Sequence, residues 1–224
     1  MKSSHFAARA AVVLLALAPL VKADIISSLG DTASGLVSGT HYTSVQLLAA
    51  LTGPAPFNAV CGNISTTDCS TSWTFSYLFP AGQTVTGATL TLGIGNLDSS
   101  VAGNQVASYL VGATDLTAAL NTVAEGLDGG AGSTRNEYDV LTINLPGTAF
   151  TTLQGGSATV SLALQGNGLG VLGTTKHIAA DLVFSTLDIQ TAAPVPEPAA
   201  LPLLLTAVGA FGLLWARRKS KHQG

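Results

Sequence analysis

Between residues 24 and 194 the side chains capable of chemistry are few, and their spacing limits what they can do together. Cys61 and Cys69 stand eight positions apart in a polar stretch of Gly, Asn, Ser and Thr. In an exported chain two cysteines so close are expected to form a disulfide, with two free thiols as the alternative. A metal site would need further ligands, and no histidine is near them in sequence. His41 and His177 are the histidines of this stretch, so a Ser-His-Asp arrangement has two possible bases, and no serine lies in a Gly-x-Ser-x-Gly turn. Glu137 and Asp139 could pair for glycoside hydrolysis. At i,i+2 on a strand, however, they read more simply as a solvated face. Asp98, Asp128, Asp139 and Asp181 are the candidates for calcium assembled from separated loops, since no EF-hand spacing is present. Asp128-Gly129-Gly130-Ala131-Gly132-Ser133-Thr134 is close to a glycine-rich calcium repeat, but Thr134 takes the place of the acid and nothing repeats. No cofactor and no enzyme activity are expected.

The C-terminal end is more informative. Pro196 and Pro198 fix their own φ and disfavour helix in the residue before each, so Val195-Pro196-Glu197-Pro198 is expected to stay extended, the shape a protease cleft accepts. Glu197 offers a single charge for recognition. Residues 199–216 follow, 18 positions without a charge. As a helix they would span about 27 Å, slightly short of a hydrocarbon core of about 30 Å. Trp215 suits one interface, and Arg217, Arg218, Lys219 and Lys221 would hold the end in the cytoplasm. The order of motif, apolar span and basic tail resembles the PEP-CTERM sorting signal of Gram-negative bacteria. The resemblance implies processing by a membrane enzyme of the exosortase type. It further implies a setting among exopolysaccharide-producing cells, with a role in matrix or biofilm.

The opposite end complements it. Lys2 and Arg9 precede an apolar run over residues 10–21, and Val21-Lys22-Ala23 supplies small residues for signal peptidase, with cleavage placed between Ala23 and Asp24. The division is therefore a signal peptide (1–23), a body (24–193) and a sorting region (194–224). The body is expected outside the cytoplasm, anchored to the inner membrane as a precursor and then at the cell surface or beyond. Charge is segregated the same way. Residues 24–194 carry Arg135 and Lys176 against eleven acids, a net −9. That balance argues against nucleic acid and against anionic lipid surfaces as partners.

The body is rich in Gly, Ser, Thr and Ala and poor in Lys and Glu, which favours strands and glycine turns over solvated helices. Leu90, Leu92 and Ile94 alternate with small polar residues, as do Val160, Leu162 and Leu164, and Trp73, Phe75 and Tyr77. Tyr138 and Val140 hold one phase while Leu141, Ile143 and Leu145 hold the other, which predicts a bulge near Val140. A similar switch separates Leu182 and Phe184 from Leu187 and Ile189. Residues 44–51 fit either a strand or a short helix. Residues 116–127 have helical spacing, with Thr114 or Asp115 as N-cap. The fold class read from this is mainly β, an antiparallel β-sandwich, plus one C-terminal transmembrane helix. Phe79-Pro80-Ala81-Gly82 before the strand at 85–92, together with Leu145-Pro146 and Leu153-Gln154-Gly155-Gly156, resembles the jelly-roll sandwiches of bacterial surface proteins, many of which bind carbohydrate. Three functions follow as expectations: a structural or adhesive surface protein, a carbohydrate-binding module, and, least favoured, a secreted hydrolase.

Overall fold

In a computed structural model of the chain, the described residues are 22–63, 65–97, 105–127, 136–165 and 177–193. The signal-peptide run, the Asp128–Thr134 loop and the whole sorting region lie outside them. The strands are β1 (Lys22–Gly30), β2 (Thr40–His41), β3 (Val60–Cys61), β4 (Ser70–Ser76), β5 (Thr84–Gly95), β6 (Val106–Val111), β7 (Thr114–Asp115), β8 (Glu137–Asn144), β9 (Ser157–Leu164) and β10 (Ala180–Ala192). Helices are α1 (Ser44–Ala50), α2 (Thr117–Leu127) and α3 (Phe150–Leu153), the last entered through a 3-10 turn at Gly147–Ala149.

The protein is mainly β, built from two antiparallel sheets. One has the order β1-β10-β5-β8-β2, with β3 also on β10, and the other β4-β9-β6-β7. Leu90, Leu92, Ile94, Leu141, Ile143, Leu182, Leu187 and Ile189 from the first meet Trp73, Phe75, Val106, Tyr109, Val160 and Leu162 from the second in one apolar core. Burial of these alternating side chains is the main favourable term in folding. Phe57 closes the core from a loop, its ring edge-on to Trp73 with centroids 5.4 Å apart.

Alternation places the strands as the sequence indicates, with one correction. β8 pairs with β5 in an unbroken register from Tyr138↔Gly95 to Asn144↔Thr89, so there is no bulge near Val140. Tyr138 and Val140 change phase because the outer face of this end of the sheet is covered too. There Tyr42, Ala50, Tyr138 and Val183 form a second cluster with Leu36, Leu47, Val140 and Phe184 against it. Gly93 and Gly95 make room for it: a Cβ on Gly93 would collide with the Tyr138 hydroxyl and the Phe184 ring, and one on Gly95 would stand 2.6 Å from the Tyr42 Oη. In β10 the switch is a real irregularity, since the register with β5 shifts between Leu182 and Phe184.

Residues 44–50 form a helix, not a strand. Thr43 Oγ1 accepts from the Gln46 backbone N at 3.3 Å while Gln46 Oε1 accepts from the Thr43 N at 2.8 Å, a capping box that sets the start. In α2, Leu116 and Leu120 are buried, and the Asp115 carboxylate accepts from the Thr117 N at 2.8 Å. Asn121 is also buried, accepting from the Val106 N and donating to the Val106 O, which docks the helix on β6.

The two sides of the sandwich differ. On one, the sheets end in the two-residue strands β2 and β7, and α2 packs against both β6 and β8. On the other, the longer edges β1 and β4 run side by side. Among the described residues no helix is long and apolar enough to cross a membrane.

Candidate functional site

The polar groups gather at one end, where β5 finishes and where β8, β10, β4 and β6 begin. Asp181, one residue into β10, is 1 % exposed. Its Oδ2 accepts from the Tyr42 hydroxyl at 2.6 Å and from the Asn96 Nδ2 at 2.6 Å, while its Oδ1 is buried with no partner. Burial pushes the carboxyl above its ordinary range, against the lowering effect of those two donors. Burial, then the adjoining carboxylate, raises the Tyr42 phenol as well.

Asn96 is the hub. Its backbone takes the left-handed conformation at φ 56°, as does Asn136 at φ 67°, a region that asparagine enters more readily than other side chains. Asn96 N donates to the Glu137 O at 3.0 Å, and its side-chain oxygen accepts from the Asn136 N at 2.8 Å. Tyr42 N donates to the Asn136 O at 2.9 Å. The exit of β5, the start of β8, the start of β10 and the segment before α1 are thereby tied into one network. Asp181 and Tyr42, at 1 % and 5 % exposed, are sealed from solvent, so the network holds loop ends in place and offers no open acid or base.

Beside it lies the disulfide. The Cys61 and Cys69 sulfurs stand 2.09 Å apart. Cys61 belongs to β3, paired with β10 of the first sheet, and Cys69 leads into β4 of the second. Cys69 N donates to the Ile178 O at 2.7 Å, and Leu164 N of β9 donates to the Cys69 O at 2.8 Å. Next to it Asp68 accepts from the Ile178 N at 2.8 Å through one oxygen, and its other oxygen lies 3.4 Å from the His177 Nδ1. The bridge and the Asp68–His177 pair thus pin the two sheets together at this end. An imidazole oriented by a carboxylate is two thirds of a hydrolytic triad. Among the described residues no serine hydroxyl is brought to it.

The remaining expected site residues separate. Asp139 is buried, not part of a solvated face, because the chain before β2 crosses it and Gly39 N donates to its Oδ1 at 3.2 Å. Asp139 pairs with Ile94 and Asp181 with Gly95, neighbours on β5, so the two acids point to opposite faces of the sheet and share no ion. Asp98 and Asp128 lie outside the described residues. Among the described residues no three His, Cys, Asp or Glu side chains are grouped to hold a metal. The bond between Ala23 and Asp24 falls within β1, so cleavage there would leave residues 24–30 of that strand. Val195, Pro196, Glu197, Pro198, Arg217, Arg218, Lys219 and Lys221 lie outside the described residues. Tyr42, Asn96 and Asn136 carried no warning in the sequence, since Tyr42 and Asp181 are 139 positions apart.

Comparison with protein-family models and with curated proteins finds no match.

Proposed function

We propose that this chain is an exported surface or extracellular-matrix protein, sorted and processed through its C-terminal signal, whose body has a structural or adhesive role alongside exopolysaccharide. The observation that carries it is the order Val195-Pro196-Glu197-Pro198, the uncharged span 199–216 and the four cations after it. A core helix would not need that tail; a membrane helix uses it as a stop. A disulfide at the junction of the two sheets suits an oxidising compartment. The strand order supports a jelly-roll reading, since β1-β10-β5-β8 faces β4-β9-β6, the alternating return that two Greek keys produce. The sorting helix, signal peptidase and an exosortase-type enzyme as partners, and the path from inner membrane to cell surface belong to the same proposal.

A structural role is preferred over a sugar-stacking module because every described Phe, Tyr and Trp is buried or half-buried, so no ring among them forms an open platform. The test is the intact mass of the protein recovered from membrane and medium of its host. Sorting and release give a form starting near Asp24 and ending near 195–198, and replacing Pro196, Glu197 and Pro198 by alanine traps a membrane-bound precursor. A membrane form that retains Arg217 and Arg218 in the unaltered protein would make it an ordinary single-span anchor and end the sorting reading.

A further inference from the structure

β1 forms the outer edge of the first sheet, and among the described residues nothing pairs with its free side. Exposed edges are normally blunted by Lys or Pro, by a bulge, by brevity or by a covering element. Between residues 24 and 30 β1 has no Lys, Arg or Pro, and all nine of its residues pair with β10 without a register shift. The opposite ends of both sheets are protected, by two-residue strands and by α2. Gly53 packs against Gly30 and covers that end of β1, leaving residues 24–29 accessible. In the middle of this stretch Ile26 points outward at 66 % exposure, while Ile25 and Leu29 pack partly buried against the core.

We infer that β1 is a strand-addition surface for a second copy of this chain, joined antiparallel about a two-fold axis through Ile26. The sequence is self-complementary in that register. Ile26 faces Ile26 of the other copy, Ile25 faces Ser27, and Asp24 faces Ser28, so no like charges are opposed and the exposed isoleucine gains an apolar partner. A two-fold contact of this kind uses one patch twice and closes on itself. The first sheet then continues from one copy into the next, with the β4 edges brought to the same side. The inference stands on β1 alone and holds whether the chain is released or stays in the membrane.

Cysteine trapping on the detergent-solubilised full chain tests it. Opposed Cβ atoms in such a pair lie about 4.5–5.5 Å apart, close to disulfide reach, so Ile26→Cys should give a covalent dimer on mild oxidation. Ser28→Cys should not, because position 28 is four residues, about 13 Å, from its own counterpart. Ile26→Lys should weaken self-association about tenfold, as like charges then meet across the axis, with circular dichroism and Tm unchanged because the side chain is exposed. Failure of Ile26→Cys to trap a dimer would overturn the inference. So would equal trapping by Ser28→Cys, or a dimer unaffected by Ile26→Lys, since the contact would then lie elsewhere.

Discussion

Asp181 shows how far a single residue's role depends on what folds over it. On paper it is a loop-end carboxylate available to an ion; in the fold it is buried with two donors on one oxygen and none on the other. Its folded-state pKa is raised above the ordinary 3.8, with desolvation as the first cause. The native state therefore binds this proton more tightly than the unfolded chain does. Its charge opposes folding at neutral pH, and the penalty fades as pH falls through the raised value and is gone below about 3.8. Asp181→Asn should accordingly raise Tm at pH 7, with an advantage that shrinks on acidification, read by thermal melts across pH. Asp181→Ala removes the acceptor and strands the Tyr42 hydroxyl and the Asn96 amide, a cost of about 1–3 kcal/mol in denaturant titrations. Equal melting curves for the three proteins at all pH values would contradict this account.

At the scale of elements, β5 decides most. Its inward side, Leu90, Leu92 and Ile94, was legible from alternation alone. Its outward side, Gly93 and Gly95, reads in sequence as weak strand but works as a floor for Tyr138, Phe184 and Tyr42. Gly95→Ala should push the Tyr42 ring off Asp181 and cost about 1–3 kcal/mol in chemical denaturation, whereas an alanine at Gly126, with open space around it, should cost nothing of that kind. The same covered face explains why the phase change in β8 resembles a bulge on paper. Period-2 reading assumes one wet face, and where both are dry a phase change carries no information about register. For α1, apolar spacing left strand and helix equal, yet Thr43 and Gln46 held the deciding signal, since a capping box belongs to helices alone.

At the scale of the molecule, the disulfide joins one sheet to the other, not merely two ends of a loop. Cys61→Ser together with Cys69→Ser should lower stability by about 2.5 kcal/mol on loop-entropy grounds, visible as a lower Tm that reductant reproduces in the unaltered protein. An unchanged melt would show that Asp68, His177 and the backbone bonds of Cys69 hold the junction without it. The contrast between a side closed by α2 and a side ending in β1 and β4 also belongs to this scale, because a free edge exists only once neighbours have been assigned.

The sequence by itself determined the quantities that follow from local chemistry. Alternation gave the strands Ser70–Ser76, Ser157–Leu164 and most of Thr84–Gly95, helical spacing gave Thr117–Leu127, and proximity gave the Cys61–Cys69 pair. The extended Pro-Glu-Pro motif, the uncharged span and the basic tail are likewise properties of neighbouring residues, open to reading without a fold. Tertiary structure alone decided the rest. Which acids are buried, which glycines carry aromatic rings, how Asn96 gathers three loop ends and which strand is left at an edge all depend on contacts between residues tens to more than a hundred positions apart. The physical reason is that burial and long-range pairing arise from the closing of two sheets on each other, and local periodicity records only that a face is apolar, not what will cover it.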